Sequence, residues 1–291
     1  RKVPIVGMVR SWDNLTFLSL LRVLPDKLLV ASETMKQEAI LYHNAAPEKI
    51  EVVGVPHRDA YRTGRKASRT EFFEKIHADP ARPLLFYAPV GDLNISENFT
   101  DRGVLEILAS SGYNAVVRFP PADTVSNLDD FIPPPRMYFD RPGVELSEGD
   151  YARRELSKED DVFLADSIFH SDVVICGPST IAIDAAVFDK PVIFINFLKF
   201  KDGRVSGSIL NYEYTNLGYL LKSGGVRVAK NEKELRDFIA MYLARPRQDA
   251  EGRKRIVREL SGPEEGLASE RVVDIITRQL EQSVIKRLET P

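Results

Sequence analysis

Apolar residues fall along this chain with two different periods. Short β-branched runs recur at Val3–Val9, Lys27–Ala31, Ile50–Val53, Leu84–Ala88, Ala115–Phe119, Met137–Asp140, Asp172–Cys176, Val192–Asn196 and Val226–Ala229. Runs of this length and composition read as buried strands. Between them, apolar residues at helical spacing predict helices over Leu15–Val23, Thr34–His43, Arg69–Ile76, Asp101–Ser110, Ser157 to about His170, Ile181–Phe188, Glu232–Ala244, Ala250–Leu260 and Leu267–Leu288. Ser32 and Asn231 are good N-caps, Ser157 with Asp160 reads as a capping box, and Gly112 suits a helix end. Ser126–Ile132 is weakly helical and is broken by Pro133-Pro134-Pro135. Strands alternating with helices argue an α/β protein with parallel sheets.

The chain has 291 residues, enough for two domains. We read residues 1–64 as part of a first Rossmann-like domain, 65–82 as a charged linker, 83–266 as a second Rossmann-like domain and 267–291 as a C-terminal helix. The first residue is Arg1 and the chain runs at once into a strand, so the first domain is expected to be incomplete.

One stretch organises the rest. In Ser171–Phe197, a strand leads into Gly177-Pro178-Ser179-Thr180, then a helix, then a second strand after Lys190-Pro191. This is a βαβ unit, and its small-residue turn falls at the carboxyl edge of the sheet, where ligands bind. Free N–H groups at the helix start favour a phosphate. Gly177, Ser179 and Thr180 are therefore candidate phosphate contacts, and Asp184 a candidate acceptor for ribose hydroxyls. A plain N-cap is the alternative for Ser179 and Thr180.

Composition narrows the function classes. Formal charge is −3, which gives no basic field for nucleic acid. The single cysteine, Cys176, lies in an apolar strand and suits a packing role in a reducing compartment. No apolar run approaches a membrane span and no signal peptide is visible. Glu159-Asp160-Asp161 fits the first turn of a helix better than a metal site, so no metal or other cofactor is expected. His43 and His170 fall near helix ends, where they suit the last carbonyls.

Several segments, in order, resemble the CDP-glycerol glycerophosphotransferase family, GT-B-type enzymes that build teichoic acid and related surface polymers. Ser11-Trp12-Asp13-Asn14 stands where that family has Trp-His-Gly. Gly54-Val55-Pro56-His57-Arg58-Asp59 resembles its Gly-Tyr-Pro-Arg-Asn-Asp, and Tyr87-Ala88-Pro89-Val90 its Tyr-Ala-Pro-Thr. Arg118-Phe119-Pro120 falls at its Arg-x-His-Pro. Ser171-Asp172 through Pro191 follows its Ser-Asp, Ser-Ser, Asp, Lys/Arg-Pro pattern, with Asp189 where Gly is usual. Ala268-Ser269-Glu270-Arg271 matches its closing motif. The same segments fit UDP-sugar 2-epimerases more loosely.

The resemblance implies a GT-B-like fold of two Rossmann-like domains and a nucleotide-sugar or CDP-polyol donor. It also implies a glycan or lipid-linked acceptor, and a cytoplasmic place with peripheral association at the inner membrane face. Two family histidines are replaced, by Asp13 and Phe119. That shifts the expectation from glycerol phosphate transfer towards glycosyl transfer. Asp13 becomes the candidate general base for the acceptor hydroxyl, His57 a second candidate, and Arg118 an extra cation for the leaving diphosphate. A helix N-cap is the alternative for Asp13. Two other functions stay open: a nucleotide-sugar epimerase or hydrolase, and a degenerate nucleotide-binding module without catalysis.

Overall fold

Val, Ile and Leu crowd the strands because a parallel sheet is covered on both faces and has no wet side. The computed structural model describes residues 3–18, 20–64, 66–93, 95, 98–145, 154–209, 215–263 and 267–288. The chain forms two units, residues 1–64 with 255–291, and residues 65–254.

The first unit holds a three-stranded parallel sheet of β1 (Val6–Met8), β2 (Lys27–Val30) and β3 (Ile50–Val52), in that order. Helix α1 (Glu33–His43) joins β2 to β3. Ser32 Oγ caps it by accepting from Met35 N, and Asn44 ends it in the left-handed region at φ 51°. The helix expected over Leu15–Val23 is instead one wide turn, Asn14–Leu18, followed by irregular chain. Two observations explain this. Leu20 and Val23 are 72% and 81% exposed, so the apolar spacing makes no continuous inward stripe. His43 also takes two backbone groups of the segment, the Leu15 carbonyl at 2.8 Å and the Leu21 N–H at 3.0 Å.

Beyond β3, α2 (Asp59–Thr63) meets the chain's last helix, α10 (Ala268–Leu288), which packs Ile275 against Leu29 and Val53. The Asp59 carboxylate accepts from Ala268 N at 2.9 Å and Ser269 N at 2.8 Å, so it caps α10 from 209 residues away. Burial pushes its carboxyl up, but the bonds from Ser269 and Ala268 and the Arg271 charge outweigh that and hold it below the usual range. Gly54 and Gly262, both at positive φ, let the backbones touch. A Cβ on Gly262 would lie 2.1 Å from the Ala31 carbonyl oxygen.

The second unit is a six-stranded parallel sheet. Its strands are β4 (Leu84–Ala88), β5 (Asn114–Arg118), β6 (Met137–Asp140), β9 (Val173–Cys176), β10 (Val192–Ile195) and β13 (Val226–Ala229), and β7 (Val144–Glu145) with β8 (Arg154–Glu155) forms a small separate ladder. The order is β13-β10-β9-β4-β5-β6. Residues alternate between the faces. Leu85, Tyr87, Val117 and Ile175 share one core with α4 (Thr100–Ser111) and α8 (Glu232–Ala244). On the other face lie α3 (Arg69–Lys75), α5 (Lys158–His170) and α6 (Ile181–Val187). Residues 65–82, expected as a linker, carry α3. Its Phe72 and Phe73 are buried, and Phe72 stacks on His170 with ring centres 5.1 Å apart.

Ser126–Ile132 forms no helix, because Asp92 takes the Ser126 N–H and the Thr124 hydroxyl while Asn127 turns left-handed. After β10, the stretch 198–219, irregular in its sequence pattern, holds the ladder of β11 (Leu198–Lys199) with β12 (Val205–Ser206) and runs into α7 (Thr215–Ser223). Residues 210–214 of that stretch lie outside the described residues. Helix α9 (Ala250–Ile256) leads back to the first unit's segment. Among the described residues no helix is long and apolar enough to cross a membrane.

Two outcomes follow from the α10 junction. Gly262→Ala should lower stability by about 2 kcal/mol or more in urea melts at unchanged m-value, since a strained φ and a backbone clash coincide. Asp59 has a folded pKa below its unfolded one. Its stabilisation is therefore complete above the ordinary carboxylate value of about 4 and is lost as pH falls through the depressed value. The stability gap between wild type and Asp59→Asn, followed by melts from pH 7 to pH 2, should close below about pH 4.

Candidate functional site

The order of the second sheet reverses at β4. The chain builds outward through β5 and β6, then returns to lay β9 on the other side of β4. The carboxyl ends of β4 and β9 therefore border a topological switch point, the place where open α/β sheets bind ligands. Two segments leave the sheet there: Pro89-Val90-Gly91 after β4 and Gly177-Pro178-Ser179-Thr180 after β9.

Gly177 is buried against Val90, and a Cβ on it would come within 3.0 Å of Val90 Cγ2. The turn is close to the β4 loop because that residue has no side chain. Ser179 Oγ accepts from Ile181 N at 3.3 Å in a local turn, while the N-cap position of the helix is Thr180, whose side chain makes no cap bond. Thr180 is exposed, and its hydroxyl makes no hydrogen bond among the described residues. Asp184 is only 3% exposed, inside α6, so its side chain belongs to the packed side of the helix and not to the open edge.

The β4 loop is fixed by a buried carboxylate. Asp101, at the start of α4, accepts from Val90 N at 2.9 Å, Gly91 N at 3.0 Å, Asn98 Nδ2 at 2.7 Å and the Tyr87 hydroxyl. Burial pushes both the Asp101 carboxyl and the Tyr87 phenol up. In the sequence, Asp101 reads only as the first residue of a helix. The signal available was Tyr87 and Asn98, the two side chains that donate to it.

Arg118 is not free for a ligand. Its guanidinium donates to Asp140 Oδ2 at 2.5 Å and to the Asp160 carbonyl at 3.1 Å, and the residue is 8% exposed. It ties the ends of β5 and β6 to the first turn of α5. Burial pushes the Asp140 carboxyl up even with Arg118 beside it. Asp160 completes the α5 capping box with Ser157, as expected. His170 Nε2 donates to the Ala67 carbonyl, 2.8 Å away, rather than serving its own helix end. Among the described residues no group of three or more His, Cys, Asp or Glu is placed to hold a metal ion.

In the first unit, Asp13 follows β1. Its carbonyl accepts from Thr16 N, and its buried Oδ1 has no hydrogen-bond partner. Among the described residues its side chain caps nothing; Asn14 Oδ1 instead accepts from Ser11 N at 3.1 Å. His57 is exposed on a short turn, 3.2 Å from the Tyr61 hydroxyl. A cavity of about 600 Å³ opens in this unit between β1 and the irregular segment, lined by Met8, Val9, Arg10, Asn14, Leu15 and Leu21 among others. His43, which holds Leu15 and Leu21, fixes that wall; with Nδ1 accepting from Leu21, Nε2 must carry the proton.

No family model matches the chain, and no curated protein matches it. Solved structures do. The wall teichoic acid polymerase TagF matches with a TM-score of 0.55 at 14% identity, over 94% of this chain and 66% of that one. The S. aureus MnaA–UDP structure gives 0.55 at 14% identity, over 89% of this chain and 62% of that one. The Methanocaldococcus jannaschii UDP-GlcNAc 2-epimerase, in complex with UDP-GlcNAc and UDP, gives 0.54 at 15% identity, over 87% and 61%. The chain spans 59–66% of the length of the structures compared. It has their fold, the α/β architecture with parallel sheets of GT-B-type proteins.

The placement of Arg118 makes a stability prediction. Arg118→Ala leaves Asp140 buried and unpaired, and should cost about 3 kcal/mol. The Arg118→Ala/Asp140→Ala double variant should recover part of that loss in a denaturant double-mutant cycle. Independent, additive effects would contradict the pairing.

Proposed function

We propose that this chain takes part in transfer of a sugar or polyol phosphate from a nucleotide-activated donor to a glycan or lipid-linked acceptor. The observation that carries this reading is the turn at the switch point between β4 and β9. Gly177 brings it against the β4 loop, and Thr180 holds an uncommitted hydroxyl at a helix start. The fold likeness supports the donor class, because structures of that fold carry UDP or UDP-GlcNAc in their names.

In this reading the turn from Gly177 to Thr180 neutralises a donor phosphate as the leaving diphosphate gains charge. Ser179 shares its hydroxyl between the turn bond to Ile181 N and the ligand. Asp184 acts from beneath the helix, holding the turn rather than meeting the ribose directly. Asp13 accepts the proton of the acceptor hydroxyl. Its buried Oδ1, without a donor, keeps a lone pair that a structural carboxylate would have filled. The cavity beside Arg10 and Asn14 takes the apolar part of the acceptor, and His57 stands at the same unit's edge without a catalytic step. No metal is required. Epimerisation of a nucleotide sugar is the second reading, favoured by the likeness to 2-epimerases; it needs the same donor seat and no acceptor.

Thermal melts with CDP, UDP, GDP and dTDP test the donor seat. A nucleotide at 100 times its dissociation constant adds about 2.7 kcal/mol of stability. One of the four should raise the melting temperature of the wild type, and the Ser179→Ala/Thr180→Ala variant should lose that rise. If none of the four shifts the wild type, the reading is wrong. With the effective nucleotide's sugar conjugate, release of an epimer without an acceptor would replace transfer by epimerisation.

A further inference from the structure

The strand ends beside Arg118 carry a second arginine in a different state. Register pairs Arg118 with Asp140, and the Phe119 N–H continues the ladder to the Asp140 carbonyl at 2.9 Å. One residue further on, the faces switch. Arg118 and Asp140 close on each other towards α5, whereas the Arg141 guanidinium lies over the Phe119 ring, 3.9 Å from its centre. Phe119 is 4% exposed and is held edge-on by Phe139, which stacks on Phe131. The platform under Arg141 is therefore rigid.

Arg141 itself is exposed, and among the described residues no carboxylate or carbonyl accepts from it. Asp140 beside it is taken by Arg118, and Asp160 accepts from Gly143 N and Ser157 N; two acids of the edge loops are engaged as well. Asp92 accepts from Thr124 and Ser126, and Asp123 from Leu93 and Thr124. An arginine flat on an aromatic ring keeps its fork of N–H donors pointing outward, the arrangement that suits a phosphoryl group. Two ladder spacings separate the ends of β5 and β9, about 10 Å, a gap that an extended nucleoside diphosphate bridges.

We infer that Arg141, held on Phe119, is the side chain that binds a phosphoryl group of a nucleoside diphosphate from the β5 side of the switch point. This rests on the donor reading above. Phe119 carries no charge, but it places one.

Isothermal titration of the whole chain with UDP and CDP tests this, on the wild type, Arg141→Ala, Arg141→Lys and the Ser179→Ala/Thr180→Ala variant, each checked for folding by circular dichroism. Arg141→Ala should weaken the diphosphate about tenfold or more, with Arg141→Lys between it and the wild type because charge remains but the fork is lost. Wild-type affinity in Arg141→Ala, with binding lost in the Ser179/Thr180 variant, overturns this inference and leaves the donor reading intact. No binding of either nucleotide to the wild type overturns both. Binding lost in Arg141→Ala but kept in the Ser179/Thr180 variant upholds Arg141 and moves the phosphate seat to the β5–β6 edge.

Discussion

A carboxylate sealed from water must have its lone pairs filled by donors, and Asp101 meets that condition within one short segment. Tyr87 reaches it from the end of β4, Val90 and Gly91 from the loop, and Asn98 from the approach to α4. Losing any of these donors would leave part of a buried charge uncompensated, which is costly in a low-dielectric interior. The loop therefore has one conformation, and Val90 is pressed to where Gly177 can meet it. The turn that follows β9 is in this sense shaped from β4. The edge at the switch point is shaped by an acid buried beneath it.

Much of the second unit was legible because its strands are continuous apolar runs and its helices carry their own caps. Ser157 with Asp160, Asn231 and Gly112 act within a few residues of themselves, and the structure has them in those roles. What was not legible depends on partners far along the chain. Arg118 reads as a free cation until Asp140 lies beside it. His43 reads as a helix-end residue until the Leu15 carbonyl and Leu21 N–H converge on its ring. The helix expected over Leu15–Val23 failed for the same reason: a distant imidazole took backbone groups that the helix needed. Periodicity carries no record of such bonds.

The departures from the resembled family also find physical accounts. Position 189, where glycine is usual, is left-handed here with φ 52°. Aspartate tolerates that region better than most residues, and its carboxylate also accepts from the fully buried Arg253 at 2.7 Å. A side chain that glycine lacks thus offsets the backbone strain. The pair of segments around Asp59 and Ala268, noticed separately as motifs, turn out to be one object: a cap and the helix it caps.

That cap has a consequence for the order in which the molecule is made. Asp59 must wait for Ala268, 209 residues later, and at cellular rates of synthesis the wait is roughly 10–40 s. The second unit lies wholly between them and has all its strands available first. During that interval the first sheet exists without the helix that buries Leu29 and Val53. The nascent chain thus passes through a stage in which a finished domain is tethered to an unfinished one with exposed apolar strands. That is the kind of species chaperones retain, and its lifetime is set by translation as much as by the energetics of the fold.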